Sequence, residues 1–253
     1  MKTDILLNNE TNSIPLSNVV KAEARKLIDT QVAKTIIITT FVLTLAMFII
    51  SIFRFKNAGS WTDPFTSISS PSSTILPIIF ILLICEEWTR GTALVTYTFV
   101  PQRNKVILAK FTILLVTFLG TILTLYALSA ISSIIASGIY SYSFSWSVDI
   151  YSIVKQVLPL LINMLLGFSM AMVAQEITIA LGLYFIIPPI TVLATQLPVI
   201  GSYLKWISLE HSSSIFIAGA TGVSGMEYVC SILTWIVVPS IIGIFINLKR
   251  DLN

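Results

Sequence analysis

Residues 86–110 read EEWTRGTALVTYTFVPQRNKVILAK, and they are flanked by SSTILPIIFILLIC (72–85) and FTILLVTFLGTILTLYALSAI (111–131). Both flanks are apolar enough to sit in lipid, whereas the quoted stretch holds six charged residues: Glu86, Glu87, Arg90, Arg103, Lys105 and Lys110. Four of the six are basic. Lys and Arg near span ends are retained on the cytoplasmic side, so a basic connection between two apolar segments predicts a cytoplasmic loop in a helical membrane protein.

Composition supports that class. Of the 253 residues, 55% are hydrophobic and 11% charged, with a mean hydropathy of +0.91, against about 45–50% and 25% in soluble domains. The net charge is only +3 and its basic residues lie beside apolar segments, which argues against a nucleic-acid partner. The opening residues, MKTDILLNNETNSIPL, hold no apolar run of secretory length and no small-residue cleavage site, so insertion is expected to rely on the first span. Cys85 and Cys230 fall near opposite ends of different predicted spans, too far apart for a disulfide, and read as small buried apolar side chains.

Taken in order, residues 16–31 place Leu16, Val19, Val20, Ala24, Leu27 and Gln31 at helical spacing, with Lys21, Glu23, Arg25 and Lys26 on other faces. This predicts an amphipathic helix capped by Ser17 or Asn18 and lying along the anionic leaflet, or alternatively a solvated extension of the first span. Six spans follow, at about 35–53, 72–88, 106–135, 153–174, 177–197 and 228–248, each near or above the roughly 20 residues a bilayer requires. Residues 54–70 read as an exposed loop. Pro77 is expected to kink the second span, and Pro188 with Pro189 to break the hydrogen-bond ladder of the fifth. Residues 198–227 read either as two short helices dipping into the outer interface or as an ordinary external loop. Six spans put both termini on one side. The fifteen Lys and Arg divide eleven to that side against Arg54, Lys56, Lys155 and Lys205 on the other, which predicts a multi-pass protein of the cell membrane with cytoplasmic termini.

Within the opening stretch, Glu87, Gly91, Thr92, Pro101, Arg103 and Lys110 are spaced as in the loop between the second and third spans of ABC-2 type ABC transporter permeases, which the chain resembles in length and span layout as well. The helix at 16–31 is similar to the elbow helix of that family, and the outer segment 198–227 looks similar too. The resemblance implies an all-α, six-span permease with two cytoplasmic ATPase subunits and a second permease, identical or homologous, as partners in the bilayer. ATP and Mg would be bound by the ATPase, with no cofactor in this chain. Glu87, Arg90, Gly91, Thr92, Pro101, Arg103 and Lys110 would then couple the ATPase to spans two and three.

Catalytic and metal chemistry find no support in the residues. No G-x-x-x-x-G-K-[ST] occurs, so nucleotide hydrolysis is assigned to a separate polypeptide. Glu86, Glu87 and Arg90 invite comparison with intramembrane proteases carrying a Glu-Glu pair, but the Arg comes one residue early and the single histidine, His211, is predicted on the other side. No span carries a mid-membrane carboxylate of the proton-relay kind. Asn163 is the most central strong hydrogen-bonding side chain, and it reads as interhelical glue or as a substrate contact, as do Pro188 and Pro189 for the path. Glu87 and Arg90, three apart, can also pair with each other. The function expected is an exporter permease for amphipathic drugs, antimicrobial peptides or lipid-like cargo. The alternative is a non-transporting membrane immunity or interaction protein that binds a toxin or partner.

Overall fold

A computed structural model describes residues 15–56, 59–93, 103–198, 200–218 and 225–249. The fold is an all-α polytopic membrane protein. Among the described residues six helices are long and apolar enough to cross a bilayer: α2 (Gln31–Arg54), α3 (Phe65–Thr89), α4 (Arg103–Tyr140), α5 (Ile150–Ala174), α6 (Ile177–Ala194) and α9 (Gly225–Lys249). The helix α1 (Leu16–Asp29) precedes them, and α7 (Gly201–Leu204) and α8 (Leu209–Ala218) lie between α6 and α9. Pro101 lies outside the described residues.

The bundle is built around α3 and α5, whose apolar side chains, among them Phe80, Ile84, Leu160 and Met164, are buried together. The two helices can approach closely because position 167 is glycine: a Cβ there would lie 2.8 Å from that of Pro77. In the same way α9 closes on α5, where a Cβ at Gly243 would come within 2.6 Å of Met172. Higher on that contact α9 makes a π-helical turn, Leu233–Val237, and the Ser169 hydroxyl donates to the Trp235 carbonyl at 2.8 Å. A π turn displaces carbonyls from their usual partners, and this hydroxyl satisfies one of them.

The end of the bundle at which α1 lies, the proximal end, gathers the end of α3, the starts of α4 and α6 and the end of α9. Thr89 Oγ1 accepts from the first amide of α6, Ile177, at 3.4 Å. At the distal end the connections 59–64 and 141–149 pair through an isolated bridge between Ser60 and Ser145. The Trp61 carbonyl accepts from Ser129 and Ser133 of α4, and the Trp61 ring stacks on Trp146. Asp149 caps α5 by accepting from the amides of Tyr151 and Ser152. Both cysteines are free thiols, Cys85 buried with its Sγ 3.6 Å from the Ala171 carbonyl.

Four expectations are corrected. The second span begins at Phe65 inside the supposed loop, because Ser69, Ser70, Ser73 and Thr74 bond carbonyls three or four residues back and so need no water. Helix α1 is capped by neither Ser17 nor Asn18; it starts at Leu16, and the Asn18 amide bonds the Pro15 carbonyl. Glu23 does not face solvent with the other charges but is buried, as is Val19. Finally, α6 runs unbroken through Pro188 and Pro189. Proline's fixed φ is itself helical and only two amide donors are lost, so bonds on either side carry the helix through. The helix α3 likewise continues through Pro71 and Pro77.

Candidate functional site

Four charged side chains from three helices meet at the proximal end. Glu87, in the last turn of α3, accepts from Lys26 of α1 at 2.7 Å through Oε1 and from Lys110 of α4 at 2.9 Å through Oε2. Lys26 also reaches Glu23 Oε1 at 2.7 Å, and Lys110 lies 3.7 Å from Glu23 Oε2. Lys110 donates further to the Leu83 carbonyl at 2.7 Å. The result is a closed ring of alternating charge, two carboxylates and two ammoniums, summing to zero. Three of its members, Glu23, Glu87 and Lys110, are at most 5% exposed, while the Lys26 side chain is 43% exposed. The ring therefore has a dry side against the spans and one wet corner. Burial lowers the proton affinity of the Lys26 ammonium, but hydrogen bonds to Glu23 and Glu87 outweigh it and the net shift is upward from 10.5.

An apolar patch supports the ring from one side. Val19 of α1 packs on Val106 and Ala109 of α4 and on Ala93, with Val20 and Trp88 at the margin. The small Ala109 side chain, fully buried, lets α1 come down onto α4 beside Lys110. On the other side a cleft of about 1480 Å³ opens between α1, the start of α2 and the end of α3; it is lined by Lys21, Arg25, Lys26, Glu86, Glu87 and Arg90 among others.

The connection that leaves α3 is set by its backbone. Thr89 is the last helical residue and Arg90 the cap that follows it, and Gly91 takes φ +68°, a conformation that glycine adopts at little cost. The Gly91 amide bonds the Trp88 carbonyl and the Thr92 amide bonds that of Glu87. This is a Schellman termination, in which two otherwise orphaned helix carbonyls find donors. Gly91 and Thr92 thus end the helix within a turn of Glu87, fixing where the connection begins.

The expected site residues are divided by the structure. Glu87 and Lys110 come together, and Gly91 and Thr92 adjoin them. Arg90 does not pair with Glu87; its guanidinium meets Glu86, four residues back, at 3.0 Å, since Glu87 is turned inward to the ring. Arg103 engages its own chain, donating from Nη1 to the carbonyls of Asn247 at 2.7 Å and Leu248 at 3.2 Å, where a cation suits the C-terminal end of α9. Asn163 is half-buried and its amide makes no hydrogen bond among the described residues, so the glue between helices is supplied by hydroxyls such as Ser169 instead. Pro188 and Pro189 lie mid-helix in α6, remote in the chain from the ring.

Glu23 and Lys26 were missed as site residues. The signal was present: Glu23 stands four residues from both Val19 and Leu27, on the apolar stripe rather than beside it. An acid in that register on a helix destined to pack must find a cation.

No protein-family model and no curated protein matches this chain.

Proposed function

We propose that the chain is the membrane-spanning permease subunit of an ATP-driven exporter, working with cytoplasmic ATPase subunits and a second permease on amphipathic cargo. The observation that carries the reading is the charge ring, which ties α1 to the end of α3 and the start of α4, the two helices joined by the connection from Arg90 to Arg103. A partner that pushes on this connection moves three helices together. The load-transmitting elements are α3, which is central to the bundle, and α4, whose 38 residues extend about 57 Å. Arg103 adds a second link, from the same connection to the end of α9.

The cleft beside α1 suits the docking of a protein surface, with Lys21 and Arg25 on one wall and Glu86 and Arg90 on the other. On this reading the ring faces the cytoplasm, consistent with the eleven-to-four division of basic residues. ATP and Mg belong to the ATPase. The apolar, lightly buried faces of α2, α6 and α9 are available to lipid and to the second permease.

The test is reconstitution. The chain is purified from its native membrane through an affinity tag, co-purifying proteins are identified, and the assembly is placed in vesicles loaded with a fluorescent amphiphile. ATP-dependent efflux with an ATPase subunit in the preparation is expected. Stable recovery of the chain with a toxin or other non-ATPase partner, and no ATP-dependent efflux, would replace this reading with the membrane interaction protein.

A further inference from the structure

The cleft beside α1 is unbalanced in charge. Among the described residues its lining holds four cations, Lys21, Arg25, Lys26 and Arg90, against three carboxylates, Asp29, Glu86 and Glu87. Pairs within the chain account for four of these groups: Lys26 meets Glu87 at 2.7 Å and Arg90 meets Glu86 at 3.0 Å. Lys21 and Arg25, one turn apart on α1 and both exposed, make no ion pair among the described residues. Asp29 offsets only one of them, so the lining keeps one positive charge in excess.

The same cleft also exposes apolar side chains, Ile28 of α1 at 59% and Val32 of α2 at 49%. Beside it lies a second, narrow cavity of about 70 Å³, which shares Val32 and Arg90 with the first and is walled by Leu27, Leu82, Leu83 and Ile177. Those walls belong to α1, the last turns of α3 and the first residue of α6, so this slot runs between spans. The wide part of the cleft lies where α2 begins and α3 ends, which is the level of the lipid headgroups for helices of this length. A cationic mouth at headgroup level that leads to an apolar slot fits an amphiphile with an anionic head.

A phosphodiester supplies the one negative charge that the lining lacks, and basic pockets between spans near a membrane surface bind acidic lipid headgroups. A free phosphate would gain nothing from Ile28, Val32 and the slot, whereas a ligand with a chain gains by covering them. We propose that this cleft is a binding site for one anionic phospholipid of the bilayer, with its phosphate held by Lys21 and Arg25 and an acyl chain entering the slot between Val32 and Ile177. A helix resting on an anionic leaflet attracts many lipids in exchange with the bilayer; a walled cleft takes one and saturates. The headgroup fills only part of the 1480 Å³, so a protein surface can still cross the mouth. The inference goes beyond the exporter reading, and the binding step requires no ATPase.

The experiment titrates the full chain, purified in a non-ionic detergent, with dioleoylphosphatidylglycerol, dioleoylphosphatidylcholine or glycerol 3-phosphate, and counts retained ligand by native mass spectrometry. One phosphatidylglycerol per chain should bind at saturation, in preference to phosphatidylcholine with the same acyl chains, and glycerol 3-phosphate should not displace it. Lys21→Gln combined with Arg25→Gln should weaken phosphatidylglycerol binding at least about tenfold, as expected for two charges lost beside an anionic headgroup. Lys155→Gln combined with Lys205→Gln, outside the cleft, should bind as the unaltered chain does. Val32→Glu sets a carboxylate on the apolar wall at an exposed position in the first turn of α2, where an acid suits the helix, and should weaken binding likewise. Should the Lys21 and Arg25 variant fail to fold, the lipid preference of the unaltered chain and the response of Val32→Glu decide. Equal retention of the two phospholipids, displacement by glycerol 3-phosphate, or undiminished affinity in the Lys21 and Arg25 variant would overturn the proposal. Those outcomes leave ATP-driven efflux standing, and an intact lipid site without any ATP-driven efflux would sink the exporter reading alone.

Discussion

Replacing Lys110 with methionine removes one charge from a ring whose sum is zero. The two carboxylates it served, Glu87 at 2.9 Å and Glu23 at 3.7 Å, are then left with Lys26 alone. Because both carboxylates are at most 5% exposed, water cannot replace the lost ammonium, and breaking a buried pair in this way costs about 3–5 kcal/mol. Charge balance provides the internal control. Glu23→Gln added to Lys110→Met returns the site to neutrality, leaving the Lys26–Glu87 pair at 2.7 Å intact. The double variant should therefore be more stable than Lys110→Met alone, by about 2 kcal/mol, within the range of coupling between neighbours. Lys26→Met leaves the same two carboxylates one cation short, but its side chain is 43% exposed and its loss opens that corner to water, so it should cost less than Lys110→Met, about 1–3 kcal/mol. The assay is SDS-induced unfolding of the purified chain in mixed micelles, followed by far-ultraviolet circular dichroism. A Lys110→Met variant within about 0.5 kcal/mol of the unaltered chain, or a double variant less stable than the single, would refute the ring as a unit of stability.

Three further outcomes follow from local geometry. Alanine at Gly167 or Gly243 must displace Pro77 or Met172 and should cost about 1–3 kcal/mol in the same assay, whereas Gly120→Ala and Gly182→Ala meet nothing within 4 Å and should not destabilise. Gly91→Ala should lose about 1–2 kcal/mol despite open space around it, because φ +68° is strained for any residue with a Cβ. The Lys26 shift is upward, so its contribution is fully present below the ordinary value of 10.5 and is lost only as pH rises beyond it. A Val19→Cys thiol, buried under α1, should keep a constant rate of labelling by a charge-neutral maleimide, corrected for thiolate fraction, up to about pH 10.

The spans were legible because lipid imposes one rule on all of them: uncharged helical runs of about 20 residues. Their ends were less so. The serines at 69 and 70 read as loop residues in water, yet inside a membrane helix each hydroxyl bonds its own backbone, and α3 starts earlier as a result. Pro188 and Pro189 misled for a related reason, since two lost amide donors do not end a helix whose φ angles already fit them. At the site, Glu87 and Lys110 stood out as charges beside apolar runs. Their partners were marked only by the place of Glu23 on the apolar stripe of α1, because the docking of that helix is a tertiary event decided by Val19 on Ala109 and Val106. Arg90 was read as a coupling residue or as the partner of Glu87, and within the chain a spacing of four favours Glu86 instead, while Arg103, read as a coupling residue, also reaches the end of α9. The π turn of α9 left no trace in its composition.

The central claim is that the ring carries motion from an ATPase into the spans, and Lys26→Met tests it with least damage to folding. The measurement is the number of amphiphile molecules expelled per ATP hydrolysed by the complete assembly in sealed vesicles. With α1 released from Glu87, hydrolysis should continue near its original rate while efflux per ATP falls by about tenfold or more, which lost stability alone would not give, since unfolding lowers hydrolysis and efflux together. Efflux per ATP equal to that of the unaltered assembly would contradict the account.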